Sequence, residues 1–449
     1  MSKAQFGIMS RRVLAPEGIK QAIVLIENGK IAGLANSPPA GIPIDDAGNN
    51  VVMPGLVDCH VHVNEPGRTE WEGFETATRA AAAGGITTIV DMPLNSDPVT
   101  TTLPALEAKF EGTENKLWVD TAFWGGVVPG NAGLLESMID AGVRGFKCFL
   151  IHSGINDFPN VTEADLRLAM PILARRGVPL LVHAELECGE PCEWENGARS
   201  YKSFLKSRPR RWENEAIKLM IDLAREYHTA VHIVHLSSSD AIPLIAGARR
   251  TGISLSVETC PHYLTFAAEE IADGDPRFKC APPIRERENR EKLWSALQEG
   301  TIDFVVSDHS PCTPELKFLS EGDLKRAWGG ISSLQFGLST VWTEACRRGA
   351  SIADLSAWMA QKPAAFAKLD DRKGRLAPGY DADIVVWSPE QKQTIERSMI
   401  HHRHKITPYD GRELLGVVKQ TYVRGNKVFD SGKFAMEPAG QRIVGTGRR

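Results

Sequence analysis

The stretch EGFETATRAAAAGGITTIVDMP, residues 72–93, contains one complete unit of the pattern that decides the fold. Its first half is alanine-rich and stops at Gly84-Gly85, the composition of a helix with a glycine terminator. Its second half, ITTIVDMP (86–93), is short, β-branched and largely apolar, as expected of a buried parallel strand. Working outward, similar apolar runs recur: NVVMPGLVD (50–58), WVDTAFWGG (118–126), VRGFKCFL (143–150), PLLVHAE (179–185), TAVHIVHLS (229–237), ISLSVETCPH (253–262) and TIDFVVSDHS (301–310). Between them lie segments such as ADLRLAMPILARRG and ENEAIKLMIDLAREYH, with apolar residues at three-to-four spacing. Eight β-then-α units predict a distorted (β/α)8 barrel.

Both chain ends read differently. QAIVLIENGKIAGL (21–34), DADIVVWS (381–388) and KQTYVRGNKVFD (419–430) are strands joined by glycine turns. They predict a small β-sandwich domain shared by the two termini, with boundaries expected at 1–53, 54–372 and 373–449. No low-complexity tract interrupts this plan.

Composition narrows the function. The 449 residues are 42% hydrophobic and 24% charged, enough for a large core and a smaller second unit. A formal net charge of -4 without blocks of like charge argues against nucleic acid or an anionic membrane surface as partner. The opening MSKAQFGIMSRRVL lacks the apolar core of a secretory signal, and no run approaches the ~20 apolar residues of a spanning helix. The expected compartment is the cytosol. Eight cysteines (59, 148, 188, 192, 260, 280, 312 and 346) without a Cys-x-x-Cys pair suit reduced thiols. Cys188 and Cys192 lack the second pair that a zinc site would need.

A barrel of this type carries its chemistry at the carboxyl ends of its strands. His60 and His62 follow the first strand at i and i+2, which turns both imidazoles to one side. Alone, such a pair reads equally as two exposed loop histidines. His183 ends the fifth strand, His235 the sixth and Asp308 the eighth, so four histidines and a carboxylate meet at one mouth. Lys147 ends the fourth strand. Read locally it is a buried or ion-paired lysine, since an ordinary ammonium repels a metal.

The runs PGLVDCHVHVNEPG (54–67), GFKCF (145–149), LVHAE (181–185), HIVHLSS (232–238) and VSDHSPC (306–312) resemble the amidohydrolase superfamily, in its cyclic-amidase branch of dihydroorotases, hydantoinases and allantoinases. The likeness extends to GRLAPGYDADIVVW (374–387), so it covers nearly the whole chain. It implies that Lys147 is carboxylated by CO2 and bridges two divalent metal ions held with His60, His62, His183, His235 and Asp308. Zinc is the expected metal, and manganese, iron and cobalt suit the same ligands. Two such ions about 3.5 to 4 Å apart lower the pKa of a shared water. Asp308 is then both ligand and proton carrier, the catalytic residue.

Charge separates the branches. Dihydroorotases similar to this chain place an arginine two residues after the second histidine, where it grips the substrate carboxylate. Here that position is Asn64, with Arg68 the nearest arginine. EPGRTEWEGFETATRAAAAGGITTIVDMPLNSDP (65–98), FKCFLIHSG (146–154), CAPPIR (280–285) and KRAWGGISSLQ (325–335) resemble the allantoinases instead. Their substrate, allantoin, is an uncharged hydantoin bearing a urea group. The resemblance implies substrate contacts at Asn95, His152 and Ala281. Asn95 reads equally as a turn residue before Asp97-Pro98. His152 stands where hydantoinases carry a tyrosine, and Ala281 where dihydroorotases carry asparagine, so any contact from Ala281 is through its backbone. A homotetramer is implied as well.

Other residues fall outside this set. His232, three before His235, should face away and pack under helices. His262 and His309 suit the support of ligands. The tract HHRH (401–404) reads as a solvated loop or subunit contact, and Trp71 and Trp328 as packing. Competing functions are a hydantoinase or dihydropyrimidinase, a dihydroorotase, and a metal-free scaffold, the last opposed by the presence of all six ligand positions.

Overall fold

The computed structural model of the chain describes residues 5–189, 194 and 197–445. Cys192 lies outside the described residues. In chain order the strands are β1 (Phe6–Ala15), β2 (Gly18–Glu27), β3 (Lys30–Ala35), β4 (Ile44–Asp46), β5 (Val51–Pro54) and β6 (Leu56–Val61). Then follow β7 (Ile86–Asp91), β8 (Asp120–Phe123), β9 (Gly125–Gly126), β10 (Phe146–Phe149), β11 (Leu180–His183), β12 (Val231–Ile233), β13 (Leu255–Thr259) and β14 (Phe304–Val305). The chain returns through β15 (Ile384–Thr394), β16 (Glu413–Val423), β17 (Asn426–Asp430) and β18 (Lys433–Phe434).

β6 to β14 form the barrel, all pairings parallel. Two hydrogen-bonded arcs, β6-β7-β8 and β9 through β14, share the third strand, which breaks at Trp124. The ring closes where His62 N donates to His309 O at 2.9 Å and Ser307 N donates to the Asp58 carboxylate at 3.0 Å. Helices follow the strands. Glu163–Arg176 shows why the sequence forms one: Thr162 caps its first turn, Asp165 returns the bond, and Gly177 ends it at φ 62°.

The nine strands at the chain ends form one mixed sheet, ordered β18-β17-β16-β15-β5-β1-β2-β3 with β4 beside β1. Ile8, Val24, Ile31, Val52, Ile384 and Tyr422, from strands across that sheet, pack into one core, so the sheet curls over itself. The run NVVMPGLVD, expected as a single barrel strand, is divided at Gly55. Val51–Pro54 belongs to the small sheet and Leu56–Val61 to the barrel. Gly55 is required there because a Cβ would lie 2.2 Å from the Thr87 side chain.

A buried ion cluster joins the two units. Lys373 Nζ lies 2.6 Å from Asp120 of β8, 2.5 Å from Asp383 and 3.0 Å from Asp381, beside the start of β15. Burial alone would discharge Lys373, but the three carboxylates outweigh it and raise its pKa. Lys373→Met strands buried carboxylates and should cost about 3–5 kcal/mol. The expected readout is a lower urea midpoint, and a midpoint equal to that of the unaltered protein would show that the cluster does not hold the units together.

Candidate metal centre

The barrel strands open at their carboxyl ends into a cavity of about 440 Å³. His60 lies in β6, Lys147 in β10 and His183 at the end of β11, while His62, His235 and Asp308 lie just beyond β6, β12 and β14. All six border the cavity, as do Asn95, His152 and Ala281. His235 and Asp308 have left-handed backbones, φ 40° and 44°, an uncommon state for non-glycine residues that concentrates at functional sites.

Three imidazoles are oriented by an acceptor behind them. His60 Nδ1 meets Glu258 Oε1 at 2.5 Å, His62 Nδ1 meets Leu94 O at 3.1 Å, and His183 Nε2 meets Glu185 Oε2 at 2.8 Å. An oxygen acceptor fixes the proton on that nitrogen and leaves the other with its lone pair free. The freed His60 Nε2 and His62 Nε2 lie 3.2 and 3.6 Å from Asp308 Oδ1. His183 Nδ1 faces His235 Nε2 at 3.0 Å. Burial, followed by the charge on Lys147 or a neighbouring histidine, holds His60 and His235 well below the usual imidazole pKa. Burial lowers His183 also, against the pull of Glu185. Neutral imidazoles are the form that binds metal.

The Lys147 side chain is buried, with its Nζ 5.0 Å from the centre of the Phe149 ring. Burial lowers its pKa to about 8, with Asp308 and Glu258 opposing. Among the described residues it has no ion-pair partner within 4 Å.

Asn95 is buried, its Nδ2 3.3 Å from Asn64 Oδ1 and its Oδ1 without a partner. His152 is exposed, with Nε2 3.2 Å from Asn156 Oδ1 and Nδ1 accepting from Gly154 N. Ala281 is half-buried at the cavity wall. Arg68 is engaged elsewhere: it donates to Asn95 O at 2.7 Å and pairs with Asp157 at 2.8 Å.

Several supporting residues escaped sequence reasoning. Glu258 lies in apolar β13 and reaches both His60 and, at 3.0 Å, His232. A lone carboxylate inside a buried strand is the signal by which it could be found. His232 therefore faces the barrel interior, where its ring also packs on Phe366 at the end of the helix Lys362–Phe366. The left-handed turn at His235 breaks the strand alternation on which the opposite expectation rested. Glu185 is gripped by Arg208, which with His183 offsets its burial and pulls its pKa down. The tract HHRH is not wholly solvated, because His402 is fully buried with its ring 5.5 Å from that of His309. His309 bonds Glu72 at 3.2 Å, while neither ring nitrogen of buried His262 has a partner.

These residues fit a divalent metal centre. Ligand atoms of His60, His235 and Asp308 lie within 4.8 Å of one another. His60 Nε2 and His235 Nδ1 are buried without hydrogen-bond partners, a cost that ligation removes. The amidohydrolase family profile matches residues 51–428, and the chain belongs to that family. It is 48% identical to an allantoinase of Streptomyces avermitilis across 99% of both chains. It is 45% identical to an allantoinase of Arabidopsis thaliana, over 98% of this chain and 91% of that one. Among solved structures it resembles the L-hydantoinase (dihydropyrimidinase) of Arthrobacter aurescens, with TM-score 0.90, 31% identity, and 98% and 100% of the two chains covered.

Removing the acceptor behind His60 frees the ring to rotate. Glu258→Ala is expected to weaken zinc binding about 10- to 100-fold, with Glu258→Gln intermediate. Competition against a chromophoric chelator measures this, and an affinity equal to that of the unaltered protein would remove Glu258 from the centre.

Proposed function

We propose that this chain is a metal-dependent hydrolase that opens the hydantoin ring of allantoin to give allantoate. The observation that carries the reading is the pair His60 and His62, braced from behind by Glu258 and Leu94 O with their free nitrogens turned to Asp308. The allantoinases at 45–48% identity over nearly the whole chain supply the substrate.

In this reading His60, His62, Lys147, His183, His235 and Asp308 hold two ions. When bound, the ions supply Lewis acidity and lower the pKa of a water. Lys147 takes part as a carbamate: its neutral amine adds to the carbon of CO2, an N–C bond forms and a proton leaves. Burial favours that neutral amine. Asp308 accepts the proton of the attacking water as its oxygen bonds to the ring carbonyl carbon, and delivers a proton to the ring nitrogen when the C–N bond breaks. Asn95 Oδ1 is the acceptor available for a ring N–H. His152, at the rim, donates to the substrate carbonyl, and the backbone at Ala281 completes the cradle.

A carboxylated substrate fits less well. Arg68 does not border the cavity; of the cations that do, Arg208 is spent on Glu185, Lys279 on the carbonyls of Ala327 and Lys325, and Arg326 lies over the Phe318 ring, which leaves Lys325 and the proposed metal ligand Lys147. Residues 54–372 serve as the catalytic unit. Zinc as the native metal and homotetrameric assembly, resting on the family resemblance, and a cytosolic location complete the proposal. No helix among the described residues is long and apolar enough to cross a membrane.

Protein stripped of metal, then reconstituted with zinc and bicarbonate, should turn over allantoin at least tenfold more efficiently than hydantoin, dihydrouracil or dihydroorotate. A preference for plain hydantoin or dihydrouracil would favour the hydantoinase reading instead. Asp308→Asn should retain much of its metal while kcat falls about 10²- to 10⁴-fold. Near-normal turnover in that variant would exclude Asp308 as proton carrier.

A further inference from the structure

We propose that the indole of Trp328 is the wall that selects substrates by the size of the group carried on the ring, a specificity-determining residue. The inference rests on the cyclic-amide reading of the site and goes beyond it, because the metal ligands are blind to that group.

Trp328 borders the cavity on the loop that follows β14, twenty residues past Asp308, and is half-buried. Its Nε1 donates to Ser310 O at 3.2 Å, tying the ring to the segment that carries Asp308. The ring also meets Trp71, centroids 4.9 Å apart at 72°, an edge-to-face pair that fixes the tilt of the indole. Gly154, also at the cavity, stands against the far side of the ring. A Cβ there would lie 3.3 Å from Trp328 Cζ3, and its φ of 99° suits glycine. Trp328 therefore lies against the loop that follows β10, at the rim of the cavity.

The backbone beneath the ring is also held. Trp328 N donates to Leu316 O at 2.8 Å. The buried ammonium of Lys317 binds Trp328 O at 2.9 Å, Gly330 O at 2.5 Å and Lys279 O at 3.2 Å. One cation thus gathers the segments that carry Trp328 and Ala281, and the indole is a fixed wall rather than a swinging cover. A fixed wall discriminates by exclusion. A flat ureido group passes under the indole, while a benzyl group in the same place meets it.

The test compares allantoin with 5-benzylhydantoin on zinc- and bicarbonate-loaded full-length enzyme. Trp328→Ala should raise the kcat/KM ratio of 5-benzylhydantoin to allantoin at least tenfold, within the range that pocket shape commands. Lys317→Met, which releases the segment, should move the ratio in the same direction by less. Trp328→Leu, smaller than the indole yet still apolar, should raise the ratio several-fold, and it keeps the proposal testable if the alanine variant does not fold. Metal content is measured on each protein. An unchanged ratio, or equal losses on both substrates, overturns the role of Trp328 while leaving the proposed function intact. Failure of the unaltered enzyme to hydrolyse allantoin overturns both.

Discussion

An imidazole carries two nitrogens and, when neutral, one proton, so its lone pair can be aimed only by occupying the nitrogen opposite. Everything at the mouth of this barrel depends on that constraint. Glu258, Leu94 O and Glu185 each take one nitrogen of a histidine, and each does so from a position that the barrel strands or the loops following them provide. The acceptors are themselves held: Glu258 by His232, Glu185 by Arg208. His232 in turn meets Ser256 at 2.7 Å, so the orientation of His60 is passed down three residues into the barrel. Buried polar chains of this kind are costly unless every member is satisfied, and satisfied ones are rigid.

The same rigidity sustains two uncommon backbone states. Left-handed non-glycine residues cost on the order of 1–3 kcal/mol and persist where their surroundings leave no alternative. Around Asp308 the surroundings are explicit. Ser307 is bound by Asp58, and His309 N donates to Ser307 Oγ at 3.1 Å while its carbonyl receives His62 N. The seam that closes the barrel therefore also presents Asp308.

The barrel and its strand order could be read from the alternation of apolar runs and helical spacers, because buried parallel strands leave a periodic trace. The candidate ligands could be read from their places at strand ends. What escaped had no local signature. The division at Gly55 depends on Thr87, far along the chain, and the inward face of His232 depends on a positive φ at His235. Glu258 was present in the sequence as a misplaced charge, yet nothing nearby named His60 as its partner. The burial of His402 reflects a C-terminal segment that folds back over Glu72 and His309, a tertiary fact with no periodicity.

The joint at Gly55 ties the register of the small sheet to that of the barrel. β5 is paired to β15, so Val52 stands opposite Val386 and Met53 opposite Val385, and β6 continues the same chain after a single glycine. In a strand, a slip of one residue exchanges the two faces. Such a slip in the small sheet would carry into β6 and turn His60 and His62 together out of the cavity. The pairing of the two chain ends thus keeps count for the barrel, setting which residues of the first strand look inward.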